Sequence, residues 1–370
     1  MKPRRRHSTG TEAERLRRSL SMRSACTVLV AASAWLGGSA AAAALLSSRA
    51  LVVTKGKAVK QVAVAGKHIV WETGPLEGEN SGTALLEREL GTARKRVLVR
   101  SVKSSYGLAL TSGWVVYADG GVHTRLSAIR PDGSRKMVLS RWLAAPFAAR
   151  GHLLAWIEQD GRRQKVVVRD MSTGRVRLVS MMPRCEHGHC YQLEQVMLAD
   201  RGVVFTRDST NPDLSWVVRI RFSNRVKTSV QIRHDPQPNL VPSSAGAVYY
   251  AFGRGWHRWD FGGQPRGAPF RANPPAPLLG YEHGRWFLAT RQGCDYGVVV
   301  LDRSGHRRVV ASPRRLRALV PSRSRLCVLL QAFSSVGRQP VTAWALVPRA
   351  SSEEHSDKGL FGVAFSGAQP

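Results

Sequence analysis

Cys185, His187, His189 and Cys190 fall within one nine-residue stretch, RCEHGHCYQ, at 184–192. Thiolate and imidazole are zinc ligands by type. Structural zinc sites usually split their ligands into two separated pairs, and four donors crowded into one short stretch rarely converge on a single ion. In an oxidising compartment the same two cysteines, with four residues between them, close a small loop as a disulfide. A second chemically rich stretch is RGWHRWDFGG at 254–263, where Arg254, Trp256, His257 and Trp259 could form a stacking platform for a sugar ring or a base. Strand alternation gives the same residues a packing role. Trp256 and Arg258 would then occupy one face and His257 and Trp259 the other, filling gaps between neighbouring elements. No Gly-x-Ser-x-Gly, His-Glu-x-x-His or phosphate-binding loop is present. No catalytic residue and no cofactor are therefore assigned.

The choice between metal and disulfide depends on the compartment. Residues 1–24 form a basic leader with eight Lys or Arg against Glu12 and Glu14. The uncharged run ACTVLVAASAWLGGSAAAAALL follows at 25–46. Basic, then apolar, then small residues is the pattern of an export signal, and the run is also long enough to be a membrane anchor. Either reading puts residues 51–370 outside the cytoplasm. Cys26 lies in this segment, so four cysteines remain for the exported part. An even count outside the cell favours disulfides over a metal site.

The formal net charge is +31, and the leader's eight positive and two negative residues account for +6 of it, leaving +25. The basic residues are scattered, mostly arginine, with SPRRLR at 312–317 the one dense run. A diffuse positive field suits an anionic partner such as a wall polymer, a membrane surface or an acidic protein, and it also suits plain solvation of strand faces. Nucleic acid is the weaker expectation because the arginines do not gather in a block.

The strongest organisational signal is a repeat. VAVAGKHIVWE (62–72), LALTSGWVVYAD (108–119), FAARGHLLAWIE (147–158), VMLADRGVVFTR (196–207), PSSAGAVYYAFG (242–253) and LGYEHGRWFLAT (279–290) share one plan. Each is a short apolar stretch, a tight turn and a stronger apolar run. A seventh copy, LVPSRSRLCVLLQAF (319–333), has Ser324 in place of the turn glycine. Successive copies start roughly 40–50 residues apart, the repeat length of four-stranded propeller blades. Second hairpins built on turns of Asp, Ser and Gly follow, as in SAIRPDGSRKMVLS (127–140), VVVRDMSTGRVRLVS (166–180) and VVVLDRSGHRRVVA (298–311). The first hairpin of each unit is more apolar and belongs near a central axis. The second is studded with arginine and belongs at the outer edge. Helical periodicity is absent after Leu46, so the expected fold class is all-β.

These units, above all IRPDGSRKMVL and VRDMSTGRVRLV, resemble the repeats of exported bacterial β-propellers of the TolB-like and WD40-like kind. The resemblance covers about residues 51–350 and implies architecture alone, because only Pro131-Asp132-Gly133 approaches the regular turn of those repeats. The expected arrangement is a β-propeller over 50–350, most simply of seven four-stranded blades. A polar tail at 351–370, expected to be disordered, follows it. Closure is expected from the N-terminal strand ALVVTKGKAV (50–59) completing the last unit, with GLFGVAFS (359–366) as the alternative closing strand. Blade adjacency would bring Cys294 and Cys327 together, beside a Cys185–Cys190 bridge. The functional expectation is a non-catalytic binding or scaffold module. The alternatives are a carbohydrate-active lyase or hydrolase, with ionisable groups converging at the channel, and a nucleic-acid binder.

Overall fold

The computed structural model describes residues 50–348 except 56–58, 66–67, 74–82, 90–93, 103–106, 121–123, 162, 184, 187–188, 210–213, 234–238, 252–253, 269, 271–277, 293–294, 312–325 and 337–338, and it describes 366–367 in addition. Among the described residues there is no helix, and none therefore that is long and apolar enough to cross a membrane. The leader and the apolar run at 25–46 lie outside the described residues.

The chain opens with β1 (Ala50–Lys55) and then builds sheets in sequence order. The first sheet is β2 (Val59–Ala65), β3 (His68–Thr73), β4 (Thr83–Glu89) and β5 (Lys95–Val102). The second is β6 (Leu108–Thr111), β7 (Trp114–Asp119), β8 (Arg125–Ile129) and β9 (Lys136–Ser140). The third is β10 (Ala148–Arg150), β11 (Leu153–Asp160), β12 (Arg163–Asp170) and β13 (Val176–Pro183). The fourth starts with a small hairpin arm, β14 (Cys185–Glu186), and continues through β15 (His189–Ala199), β16 (Gly202–Ser209), β17 (Leu214–Arg221) and β18 (Lys227–Arg233). The fifth is β19 (Leu240–Val241), β20 (Gly246–Ala251), β21 (Gly255–Asp260) and β22 (Arg266–Gly267). The sixth is β23 (Leu278–Glu282), β24 (Arg285–Gln292), β25 (Asp295–Leu301) and β26 (Arg307–Ala311). The seventh holds β27 (Leu326–Val336) and β28 (Gln339–Pro348), and β1 joins it in parallel along β28, with Ala50 opposite Thr342 and Leu51 opposite Ala343. A last strand, β29 (Ser366–Gly367), pairs in parallel with β10.

Within each of the first six sheets the main strands run antiparallel in chain order. The first strand of each lies against the first strand of the next, from β2 through β6, β10, β15 and β19 to β23. The hydrophobic cores are correspondingly not within sheets but between them. Ala109, Val116, Leu126 and Ala128 of the second sheet pack on Leu154, Trp156 and Val167 of the third. Ile157, Val166 and Val168 of the third pack on Leu193, Val203 and Phe205 of the fourth. Strands sandwiched on both faces read as continuous apolar runs rather than alternating ones, which is why VVYA in β7 and VVF in β16 are buried throughout. Each such fully buried Val, Leu or Phe contributes about 1.5–3 kcal/mol over its exposed state.

The turns follow the sequence in two different ways. Gly113, Gly151 and Gly284 have φ of 69°, 57° and 84°, the left-handed conformation that tight hairpin turns require. Gly202 and Gly246 serve another purpose, close approach. A Cβ on Gly202 would sit 2.3 Å from the Ile220 carbonyl oxygen and 2.4 Å from the Phe261 ring. One on Gly246 would meet the Trp259 carbonyl oxygen at 2.3 Å. The second hairpins of three sheets share one turn: Asp132, Asp170 and Asp302 each accept the backbone N–H (2.9 Å) and hydroxyl (2.6 Å) of the serine two residues on. Hydrogen bonding from the serine holds Asp132 and Asp302 below the usual aspartate range; at Asp170 burial is the largest single influence and pushes upward, but the Ser172 and Thr173 hydrogen bonds together outweigh it.

Candidate functional site

Among the described residues, the turns joining the first strand to the second in the third, fourth and sixth sheets bring charged side chains together. Arg150 ends β10, Asp200 follows β15 and Glu282 ends β23. The Arg150 guanidinium donates Nη1 and Nη2 to the two Glu282 carboxylate oxygens at 2.8 and 3.0 Å, and Nε to Asp200 at 2.6 Å. These residues belong to the third, fourth and sixth sheets, so the pair spans the axis rather than linking neighbours. The Arg150 and Glu282 side chains are 9% and 7% exposed, whereas that of Asp200 is 44% exposed. Burial opposes the Arg150 charge, yet hydrogen bonding and attraction from Glu282, then Asp200, raise its pKa above the ordinary arginine value. The fork geometry of arginine suits this bidentate contact, which a lysine could not reproduce.

Backbone bonds between sheets tighten the same region. Asp200 N–H donates to the Ser244 carbonyl at 3.1 Å, Ser244 N–H to the Tyr281 carbonyl at 3.2 Å, and Tyr281 N–H to the Pro242 carbonyl at 2.9 Å. The Thr111 hydroxyl donates to the Gly151 carbonyl at 2.7 Å. Sequence reading assigned no role to Arg150, Asp200 or Glu282. The available signal was a charged residue just before or within three tight turns of otherwise apolar hairpins.

The residues singled out in the sequence are dispersed. Trp256 and Trp259 are 8% and 3% exposed and enter different cores, Trp256 with Tyr281 and Trp286 of the sixth sheet, Trp259 with Val204 and Val217 of the fourth. Arg219 of the fourth sheet lies over the Trp259 ring at 3.7 Å, and the indole N–H donates to the Gly263 carbonyl at 2.9 Å. Tyr250 meets Trp256 edge-on at 5.4 Å. His257 stacks on Tyr249 at 5.5 Å, and burial, then the Arg254 charge, push its pKa below the usual histidine value. Arg254 is exposed in the turn before β21. The alternation expected from the sequence holds: Trp256 and Arg258 both face Tyr281 of the sixth sheet, Arg258 lying 4.9 Å over its ring, while His257 and Trp259 both meet Tyr249 on the other face.

At the cysteine stretch the backbone forms a two-residue hairpin in which Cys185 stands opposite Cys190 and Glu186 opposite His189. His187 and Cys294 lie outside the described residues. Cys327 is in β27. Among the described residues no group of three or more His, Cys, Asp or Glu is placed to hold a metal ion.

The outer ends of the sheets differ from the axis. The outermost strands β5, β9, β13, β18, β22 and β26 carry ten Lys or Arg and no Asp or Glu. They are also where large apolar side chains reach solvent, including Val97, Val138, Val179 and Val309, each at least 50% exposed.

This stack of four-stranded sheets around shared first strands defines the β-propeller class. No family model matches the chain, and no curated protein matches it. Solved structures do. The β-propeller domain of the trilobed protease from Pyrococcus furiosus aligns over 75% of this chain and 88% of its own, with 8% identity and a TM-score of 0.51. The Pyrococcus horikoshii acylaminoacyl peptidase aligns over 75% of this chain and 48% of its own, at 7% identity and a TM-score of 0.49. TolB from Acinetobacter baumannii aligns over 78% of this chain and 81% of its own, at 11% identity and a TM-score of 0.38. This chain spans about half the length of that peptidase. The likeness to the Pyrococcus furiosus domain shows the fold alone, an all-β propeller.

Proposed function

We propose that this protein is an exported or membrane-tethered, seven-bladed propeller that acts as a non-catalytic binding module for an extended anionic surface, a wall polymer or lipid headgroups. The observation that carries the reading is the composition of the outermost strands, ten cations and no anion on exposed edges interleaved with exposed valines. Positive charge spread around a rim attracts a polyanion over a wide range of orientations, and apolar side chains between the charges add contact once it is near. In this reading each of the seven sheets is a blade, β1 closes the ring by completing the last blade along β28, and residues 25–46 supply the export signal or anchor. The innermost strand of that last blade would fall at about 319–324, outside the described residues. Among the described residues, the Arg150 guanidinium at the axis is engaged by Glu282 and Asp200, which gives it a cohesive part to play.

The test is sedimentation of residues 50–370 with phosphatidylcholine vesicles, with and without about one-third phosphatidylglycerol, and with a purified anionic wall-polymer fraction. Salt-sensitive binding to either anionic target and none to the neutral vesicle is expected, since exposed charge attraction is screened within a Debye length of about 10 Å at 0.1 M salt. Absence of binding to both at low salt would overturn the reading.

A further inference from the structure

Among the described residues, large apolar side chains that reach solvent are not spread evenly around the propeller. Val97, Val226 and Val309 fall one each in the first, fourth and sixth sheets. Val138, Trp142, Val176, Val179 and Met181 fall on or beside β9 and β13, the outermost strands of the neighbouring second and third sheets. Strand register shows how these two strands face each other. Val179 stands opposite Val167 and Met181 opposite Lys165, and opposed residues in an antiparallel pair share a face. Val167 belongs to the core shared with the second sheet, and Met137 and Leu139 of β9 pack on that core only partly buried. Val179 and Met181 therefore look towards Met137 and Leu139 across the gap between the outer strands.

Trp142 stands at one end of this gap. Both outer strands leave Asp-Ser turns, so the segment just beyond β9 lies at the same end as Met181, late in β13. Its backbone is pinned: Trp142 N–H donates to Ser140 Oγ at 3.2 Å, and its carbonyl accepts the Gln159 N–H at 2.9 Å. Trp142 is 48% exposed, whereas Trp71, Trp114, Trp156, Trp256, Trp259 and Trp286 are buried. Arg135, Lys136, Arg141 and Arg175 are exposed around these apolar groups. β9 and β13 carry no acidic residue, and the carboxylates of the turns before them, Asp132 and Asp170, are each bonded to the serine two residues on.

We propose that the outer edge of the second and third sheets docks on an anionic lipid bilayer, with Trp142 at headgroup level and Val179 and Met181 against the acyl boundary. This rests on the reading of the rim as a binder of anionic surfaces, and it selects the bilayer over the wall polymer. A hydrated polymer offers charge alone. A bilayer offers charge above an apolar layer, and a surface that pairs cations with apolar groups binds it through both. Tryptophan, with an apolar body and one polar N–H, is enriched at that boundary.

Two measurements test the docking edge. In the first, the full-length chain meets anionic vesicles whose acyl chains are brominated and quench tryptophan fluorescence on contact. Quenching should be larger in the unaltered chain than in Trp142→Phe, whatever the tryptophans common to both contribute. The second is vesicle sedimentation of residues 50–370, which hold every described strand. Val179→Ser with Met181→Ser should weaken anionic-vesicle binding about tenfold or more, and the matched Val97→Ser with Val309→Ser by less than about twofold. Neither pair should change binding to the wall-polymer fraction. Equal quenching of the two full-length chains, or equal losses from the two double variants, overturns the docking edge and leaves the rim reading standing where anionic vesicles still bind. Binding to the polymer without binding to vesicles does the same. No binding to either target overturns both readings. Should the Val179→Ser, Met181→Ser chain not fold, the quenching comparison decides alone.

Discussion

The axis and the outer edges of this propeller use arginine in opposite ways. At the axis the Arg150 guanidinium is buried and engaged by Glu282 and Asp200 from two other sheets. At the edges, ten Lys or Arg stand on six outer strands with no acidic residue among them. Some of these cations lie over rings of their own or a neighbouring sheet, as Lys95 does over Trp71 at 5.9 Å and Arg177 over Phe222 at 4.8 Å. The same residue type thus serves cohesion where water is excluded and an outward field where it is not. The dielectric decides between them: an ion pair in a dry interior is strong and costly to break, while an exposed charge is cheap to hold and acts mainly at a distance.

The largest effect should follow from breaking the axial pair on one side. Arg150→Leu leaves Glu282 buried without its cation and should cost about 3–5 kcal/mol, read from urea or thermal unfolding. Replacing Arg150 and Glu282 together by leucine should recover much of that loss, since the uncompensated charge is gone. Equal destabilisation by the single and double variants would show that the two side chains are not coupled. It would also remove the contrast between axis and edge.

Much of the frame behind this comparison was legible in the sequence. The hairpins at 108–119, 147–158 and 196–207 announce themselves by continuous β-branched runs flanking turn residues, and they form as β6–β7, β10–β11 and β15–β16. The turns of Asp, Ser and Gly were equally readable because their chemistry is local, a carboxylate bonded to a serine two residues on. The Arg150–Glu282 pair was not readable, because its partners are 132 residues apart and nothing local marks them. In the aromatic stretch at 254–263 the alternation of faces was legible, but the cation partner was not: the arginine over Trp259 is Arg219, from a different sheet. Cross-sheet contacts are set by how blades stack, and a period of about 43 residues fixes that stacking only roughly.

A smaller effect should come from the far end of β15. Cys190 lies nine residues before Ala199, so the cysteine hairpin stands about 30 Å along the strand from the Asp200 turn. Opposed residues in an antiparallel pair have Cα atoms about 4.5–5.5 Å apart, within the range a disulfide bridges. A Cys185–Cys190 bond would close a loop of six residues, for which chain entropy predicts about 2 kcal/mol. In protein purified under oxidising conditions the intact mass should rise by four hydrogens on reduction if Cys294 and Cys327 are also bonded, and by two if this hairpin alone is. Cys190→Ser should lower stability by about 2 kcal/mol or less, given how often measured values fall short of the entropic figure. A zinc-sized adduct lost on chelation would replace this account with a metal site at Cys185, His187, His189 and Cys190.

The smallest effect on stability, and the sharpest separation of the two regions, should come from the edges. Changing Arg100, Arg266, Arg307 and Arg308 to glutamate alters the net charge by −8, yet each substitution sits exposed on an outermost strand. Each should shift unfolding free energy by no more than about 0.5 kcal/mol, the usual range for surface changes away from special features. Binding to an anionic surface should fall steeply all the same, and its salt dependence should flatten, because the field that gathers the partner comes from these residues collectively. If the four changes destabilise the fold as much as Arg150→Leu does, the outer cations are structural and the rim is not a binding surface. If neither stability nor anionic binding moves, the +31 charge is only solvation, and the partner must be sought at the axis, where β29 lies beside β10.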